Sequence, residues 1–239
     1  EAEIAAINRM SFDGGVSIDP VNGYTQTGGL FGNREFPLKY LSDVLTTAED
    51  MGLSKIYIKG NLVVGATDVI DGYSLIGENI NFTDITLTAG CSTEQTFFSK
   101  ATVHGVQNGE CTYEECAIGN LSNVHCRFLN CSLIGPITMS ETAPDTNYFI
   151  DCYNGNSSVV PLVLDHNHSS IHIKFIGFEG GVEIRNVTNP FAEIIVNISA
   201  GYIHLASSVT QGEFSLRGIG KYENDTTSQV GLSIDISGL

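Results

Sequence analysis

The sequence predicts an all-β protein, a single-stranded right-handed parallel β-helix (β-solenoid) with a short N-terminal capping α-helix. Three observations predict it: a 15-residue repeat in the middle of the chain, two-residue alternation of apolar side chains within each repeat, and abundant glycine with few long helical stretches. Columns of like residues at a short fixed period are typical of stacked supersecondary units. Because a period of 15 is too short for a helix–turn–helix unit, each repeat is expected to be one coil.

Cysteine and aromatic residues carry the repeat. Writing residues 111–125 above residues 126–140 aligns like side chains in two columns. The expected inward aromatic column contains Phe98, Tyr113, Phe128 and Phe149, and the neighbouring column contains Cys116, Cys131 and Cys152. In a coil, inward side chains stack on their equivalents about 4.8 Å away. Further along, three segments open with glycine and continue as short alternating strands: Gly181–Arg185, Gly201–Leu205 and Gly212–Leu216.

The N-terminal third has a different pattern. Pro37 opens a segment, 37–52, in which apolar residues recur at helical spacing, and Gly52 is placed to end the helix. A helix before the first coil would cover its exposed edge. The expected organisation is a strand, glycine-rich loop and capping helix in 1–54, a parallel β-helix in 55–220, and in 221–239 a C-terminal strand that connects to a further flank.

Charge restricts the partners. Twenty-seven acidic and eleven basic residues give a formal net charge of −16, which repels phosphate backbones and anionic lipid surfaces. Because of this charge, nucleic acid is not an expected partner. No run of about 20 apolar residues is present, so membrane insertion is not expected either. The same net charge disfavours acidic substrates, and the eleven basic residues are scattered along the chain, which does not indicate the basic cleft that an acidic-sugar lyase needs.

No cofactor and no metal site is predicted. The six cysteines are expected to be free buried thiols, although disulfides between stacked Cys111 and Cys126, or Cys116 and Cys131, are possible on distance. A zinc site with His104 and His125 is disfavoured by the spacing. The densest metal candidate is Asp165, His166, Asn167 and His168 followed by His172, and its alternative interpretation is an exposed polar strand face.

No catalytic residue is assigned. Two carboxylate groups were weighed for glycan cleavage, Glu110 with Glu114 and Glu115, and Glu179 with Glu183; both lie near turns, where acids are usually solvated. The outward aromatics considered for glycan binding are Tyr24, Tyr73, Tyr148 and Tyr202. Eight N-x-S/T sequences are attributed to polar corners rather than to glycosylation: Asn81, Asn120, Asn130, Asn156, Asn167, Asn186, Asn197 and Asn224.

A resemblance adds to this interpretation. The phrase Ser17–Tyr24, then glycine-rich residues, Phe36-Pro37 before a helix, and Ile56-Tyr-Ile resemble the opening of phage tail, tail-fibre and spike proteins of the right-handed parallel β-helix (pectate-lyase-like) type. The glycine-led segments near residues 181, 201 and 212 are similar to the distal part of such proteins. The resemblance spans roughly residues 15 to 225 and implies a homotrimeric virion component. It supplies no functional residue.

The expected function is therefore a virion structural protein, a trimeric tail, fibre or spike component involved in host attachment. The alternatives are a glycan-binding adhesin and a polysaccharide depolymerase of the tailspike kind. The expected partners are further copies of the chain, other virion or tail proteins and a host surface glycan. The expected location is the virion, assembled in the host cytoplasm.

Overall fold

A computed structural model describes residues 12–139, 146–156, 161–166, 172–227 and 230–238. In these ranges it contains one α-helix and twenty β-strands, and every strand pairing is parallel. The helix is α1, Leu41–Met51. The strands are β1 Val16–Ile18, β2 Lys55–Ile58, β3 Leu62–Val64, β4 Ser74–Gly77, β5 Asp84–Leu87, β6 Thr96–Ser99, β7 Thr102–Val106, β8 Cys111–Glu114, β9 Ala117–Val124, β10 Cys126–Leu129, β11 Ser132–Leu133, β12 Ile137–Met139, β13 Asn147–Ile150, β14 Tyr153–Asn154, β15 Leu162–Asp165, β16 Ile173–Arg185, β17 Glu193–Leu205, β18 Gly212–Gly218, β19 Lys221–Asn224 and β20 Leu232–Ser237.

The parallel pairs form two rows. Row A runs β1, β2, β4, β6, β8, β10, β13, then the first halves of β16 and β17, then β18 and β20. Row B runs β3, β5, β7 and β9, continues through β11, β12, β14 and β15, and ends in the second halves of β16 and β17 and in β19. The chain thus alternates between rows as it advances, which is compatible with a parallel β-helix.

The predicted aromatic column is present in row A. Phe98, Tyr113 and Phe128 are register partners, and all are fully buried. The rings stack at centroid distances of 5.0, 5.1 and 4.8 Å from Phe98 through to Phe149, with interplanar angles of 9, 18 and 24°. The column extends one position further than predicted, because Phe175 stacks on Phe149 at 4.4 Å. We call these five rings the aromatic ladder.

A single left-handed residue lies where the chain passes from row A to row B; we call one row A strand and the row B strands that follow it a coil. Four of these residues directly follow a row A strand and the fifth, Gly177, follows the row A half of β16; their φ values lie between 52° and 68°: Lys100, Glu115, Asn130, Asp151 and Gly177. Their backbone N–H groups bond the next coil, as Glu115 does to the Leu129 carbonyl at 3.0 Å. The left-handed residue bends the chain at the corner, and the side chain that follows it is buried in each case.

That following position holds the predicted thiol column. Cys116, Cys131 and Cys152 are buried, preceded by Ala101 and followed by Phe178 in the same column. The Cys131 thiol donates to the Tyr113 carbonyl at 3.4 Å, and the Cys152 thiol donates to the Phe128 carbonyl at 3.5 Å. Both carbonyls belong to the row A strand one coil earlier, so the small thiol fills the corner and also bonds across coils.

The capping helix was predicted to start too early. Helix α1 begins at Leu41, with Tyr40 at the N-cap, instead of at Pro37. Leu38 is extended: its N–H bonds the Ser17 carbonyl at 2.9 Å, and its carbonyl accepts from Asp19 at 2.9 Å. Burying Leu38 against the free edge of β1 satisfies backbone groups that a helix would leave unpaired, which outweighs the helical pattern. The predicted helix end is confirmed, since Gly52 is left-handed with φ 63°.

Regular pairing crosses both predicted segment boundaries. Strand β1 lies before residue 54 and pairs with β2 in register, Val16 with Ile56. Strands β19 and β20 lie after residue 220 and pair with β17 and β18. One sheet therefore includes strands from all three predicted segments.

Replacing Phe128 with Ala is expected to lower the free energy of unfolding by about 3–5 kcal/mol, because the ring is fully buried between Tyr113 and Phe149 and its loss leaves a cavity. Chemical denaturation would measure the change. Phe82→Ala is the control, since that ring is 68% exposed and its loss should change the free energy by less than about 0.5 kcal/mol. Equal effects of the two substitutions would contradict the ladder's role.

Candidate functional site

The two candidate carboxylate groups lie in different surroundings. Glu110 and Glu114 are half-buried, Glu115 is exposed at its corner, and none of the three forms an ion pair within 4 Å among the described residues. Glu179 and Glu183 lie four residues apart on β16, with the left-handed Gly180 at φ 104° between them, so their Cα atoms are at most roughly 13 Å apart. Glu183 instead belongs to a different cluster.

The histidine cluster is also dispersed where it is described. His166 is fully buried, whereas His172 is partly exposed and its Nδ1 lies 2.8 Å from Glu193 Oε2. Asn167 and His168 lie outside the described residues. No group of three or more His, Cys, Asp or Glu side chains within the described ranges has the arrangement of a metal site. His104 bonds Asp84 Oδ1 at 2.8 Å, an interaction that the sequence analysis did not anticipate.

The four tyrosines considered for glycan binding lie in different surroundings. Tyr24 packs against Phe31 and Phe36, with ring centroids 5.2 and 5.7 Å away. Tyr73 is half-buried, and Tyr148 lies beside the Arg127 guanidinium, 5.8 Å from the ring centroid. Tyr202 covers Gly181 so closely that a Cβ there would lie 2.5 Å from the ring.

Outward side chains of β16 and β17 form a charged cluster. His204 Nδ1 lies 3.3 Å from Glu183 Oε2, and His204 Nε2 lies 3.0 Å from Asp225 Oδ2. Arg185 also bonds the Glu183 carboxylate. With both ring nitrogens facing carboxylates, His204 is held as a donor on both sides and has no free lone pair with which to act as a base. The cluster is an ion-pair network across coils.

Folding shifts the pKa values of His204 and Glu183 in opposite directions. Burial by itself lowers the pKa of His204, but the bonds to Asp225 and Glu183 outweigh it and raise the pKa above 6.5. Burial raises the pKa of Glu183, but Arg185 and His204 outweigh it and lower the pKa below 4.5. Folding therefore favours the charged form of both groups.

A groove of about 590 Å³ lies at the carboxyl ends of the first row A strands. Residues from β1, β2 and β4, the loop before α1 and the corner after β6 line it. Its polar lining consists of Ser17, Arg34, Tyr57, Lys59, Glu78 and Lys100. The expectation that basic residues are scattered is wrong for three of the eleven, because the fold brings Arg34, Lys59 and Lys100 to one groove. We call it the basic groove.

Charge alternates along one wall of the basic groove. Asp19, Lys59, Glu78 and Lys100 each directly follow a row A strand, in successive coils. The Asp19 carboxylate, nearly buried, accepts the backbone N–H groups of Val21 and Asn22 and lies 3.6 Å from Lys59 Nζ. Burial raises the pKa of Asp19, but these three interactions outweigh it and lower the pKa below its usual value. Lys59 is thus anchored at the groove by a fixed carboxylate.

Tyr57 was missed by the sequence analysis, although a signal was present. In Lys55-Ile-Tyr-Ile-Lys59 the alternation sends Ile56 and Ile58 inward and Tyr57 outward between two lysines. The Arg34 guanidinium lies 4.6 Å from the Tyr57 ring centroid, a cation–π contact. No pattern in the sequence links Arg34 to β2, because the loop that carries it folds back over β1.

The six cysteines are free and buried. Burial raises the pKa of the Cys111 and Cys116 thiols to about 12, and it also raises the pKa of Cys126 and Cys131. Thiolate, the reactive form, is therefore scarce at neutral pH. The cysteines fill the core and do not form a reactive site.

Comparisons with protein-family models, with curated proteins and with solved structures find no match. In the described ranges, no helix has the length and apolar character needed to cross a membrane.

All six thiols are expected to react with a chromogenic disulfide reagent after denaturation without reductant, and few before it, because the folded protein buries all six and raises the pKa of five of them; the hydrogen bond to Cys131 lowers the pKa of Cys152. Cys116→Ala should lower the count by one; it places in the column the residue already present at Ala101. A count of two or fewer for the parent protein would mean that the column is cross-linked.

Stability is expected to depend on the ionisation of His204. Its raised pKa contributes stability that is complete below pH 6.5 and is lost as the pH rises through the folded-state value. The lowered pKa of Glu183 contributes stability that is complete above pH 4.5 and is lost as the pH falls through its folded-state value.

Urea denaturation at about pH 5.5 and about pH 8 should therefore show a loss of stability at the higher pH that His204→Gln reduces. The solvent around Asp225, 68% exposed, keeps the effect modest. An identical pH difference in the variant would contradict the role of His204.

Proposed function

We propose that the chain is a right-handed parallel β-helix that serves as a structural and host-attachment component of a phage-type virion, in a tail, fibre or spike. The observation that carries the proposal is the parallel register that runs from β1 to β20 in row A. Parallel strands of one sheet joined by crossovers are almost always connected with right-handed topology, which supports the handedness. A stack of this kind lets a protein extend over a distance, as a tail, fibre or spike component must.

Three features support a virion role over a metabolic one. The inward side chains form continuous columns of rings and thiols, so chemistry with a partner is left to the outer faces. The net charge of −16 favours solubility at high copy number and disfavours contact with nucleic acid. Free buried thiols suit assembly in a reducing host cytoplasm.

A homotrimer is the proposed assembly, and an apolar outward column is the proposed contact. Leu129, Ile150 and Ile176 are register partners on the outward face of row A in three successive coils. Ile176 is 36% exposed, and Leu129 and Ile150 are half-buried. In segment 192–198, Ile195 is the apolar side chain that points outward, beside this column. Association about a three-fold axis would bury the column in a closed assembly.

The charges beside this column favour self-association there. Arg127 and Lys174 flank it on the outward face of the same strands, in the chain's acidic surroundings. Their positive charges offset part of the acidic charge that the copies would bring together, and at physiological ionic strength screening beyond about 8 Å reduces the remaining repulsion. Burial of the apolar column is expected to outweigh repulsion.

Light scattering coupled to size exclusion at micromolar concentration is expected to report three times the 25.6 kDa chain mass. Ile176→Glu should shift the mass toward the monomer, because it places three buried carboxylates near one axis. Ile219→Glu is the matched control, since Ile219 is 76% exposed away from the column, and it should leave the trimer intact. A concentration-independent monomer for the parent chain would exclude the proposed assembly.

Host attachment is tested with a glycan array probed by the purified protein, on which retention of a defined set of host-surface glycans is expected. The competing depolymerase function predicts release of reducing ends or unsaturated products from host polysaccharide. The charged cluster is the nearest approach to acid–base machinery, yet Glu183 is neutralised by Arg185 and His204. Binding without product release would support attachment over cleavage.

A further inference from the structure

The basic groove has the features of a ligand site on a surface that is otherwise acidic. Arg34 and Lys59 share their charges with Asp13 at 3.7 Å and Asp19 at 3.6 Å. Lys100 forms no ion pair within 4 Å among the described residues, although it lines the same groove. Lys100 and Glu78 are thus the two lining charges without an ion pair among the described residues, so an anionic group of a ligand is favoured beside Lys100 and away from Glu78.

A second observation at the groove points to a ligand independently of charge. Ser17, another lining residue, is 5% exposed, and its Oγ is buried without a hydrogen-bond partner. A buried hydroxyl normally has a partner, because desolvation without one costs free energy. Ser17 lies next to Tyr57 in register, beneath the loop that carries Arg34. A ligand oxygen or hydroxyl reaching the groove floor would supply the missing partner.

The remaining lining indicates a polyhydroxylated ligand. Glu78 is a second charged residue of the groove without an ion pair within 4 Å among the described residues, and its carboxylate accepts only from donors such as hydroxyls. Ile76 and Pro37 add apolar surface that suits the C–H face of a sugar ring. The groove thus offers cations that can bind a carboxylate, an acceptor for hydroxyls and an apolar wall. Together these fit one chemical class of ligand, a saccharide that carries a carboxylate.

We propose that the basic groove binds a carboxylate-bearing saccharide, with the carboxylate between Arg34 and Lys100 and the ring hydroxyls toward Glu78 and Ser17. This inference rests on the proposed attachment function, whose ligand class it names. It reverses, at one location, the expectation from net charge that acidic ligands are disfavoured. The unpaired cation Lys100 is the charge that a ligand carboxylate would meet, since charges beyond a Debye length of about 8 Å are largely screened.

Titration of the full chain with digalacturonate, followed by calorimetry and by amide chemical shifts, tests the proposal. Binding is expected, with shift changes centred on Tyr57, Gly77 and Lys100. The methyl ester of the same disaccharide, which lacks the charge, should bind at least about tenfold more weakly. Acetate tests the anion alone and should bind far more weakly than the disaccharide. Equal affinity for the ester or for acetate would overturn the assignment.

Two variants separate binding from folding. Lys100→Asn removes the unneutralised cation while keeping a residue that tolerates φ 57°, and should weaken digalacturonate about tenfold. Ser17→Ala removes a hydroxyl that forms no bond in the free protein, so it should weaken binding about fivefold without lowering the unfolding midpoint. Arg217→Gln, an exposed position outside the groove, is the charge-matched control and should bind like the parent. Unchanged affinity in both groove variants would overturn the site.

Different experimental results would contradict the groove assignment and the attachment function. Retention of neutral glycans alone on the array, with no digalacturonate binding, would overturn the groove assignment and leave attachment standing. Shift changes at the groove that both variants abolish, with no glycan retained on the array, would support the groove and count against attachment. Shift changes spread over the charged cluster instead of the groove would overturn the proposed location.

Discussion

Two spacings coincide in this protein, and the rest of the structure depends on that match. Backbone hydrogen bonding holds neighbouring strands about 4.8 Å apart. Aromatic rings stacked along the ladder lie 4.4 to 5.1 Å apart, so the same displacement serves both interactions. Each coil then offers the next an identical surface, and neither interaction is strained to accommodate the other. Packing of the rings fixes the register, since a slip of one residue would send every ring to the outer face.

The alternation of inward and outward side chains along each strand separates the residues that stabilise the fold from those that can contact a ligand or partner. Inward positions hold rings, thiols and aliphatic side chains, whereas outward positions and corners hold nearly all of the charge. Some polar groups inside are bonded to one another, as when the Tyr113 hydroxyl donates to Gln107 Oε1 at 3.0 Å and the Gln107 amide donates to the carbonyls of Gly109 and His125. Corner residues are free to differ in charge because their backbone, not their side chain, makes the turn.

Much of the core could be predicted from the sequence, and the groove could not. The 15-residue repeat aligned Tyr113 with Phe128 because coils of equal length keep equivalent residues at equal intervals. Phe175 was missed since its coil is 26 residues long, and Leu38 was assigned to a helix because edge pairing leaves no periodic trace. The basic groove joins residues 17 to 100 through tertiary contacts. Its cations are distant along the chain, so no local pattern predicts their convergence.

The coils differ in length, and this difference has an evolutionary consequence. Register partners in row A are 15 residues apart from Phe98 to Phe128, then 21 apart at Phe149 and 26 apart at Phe175. The ladder spacing barely changes across these coils. Additional residues are thus accommodated between strands without disturbing the stack. Such a scaffold permits the segments between its strands to change in length and sequence over evolution while the interior is retained.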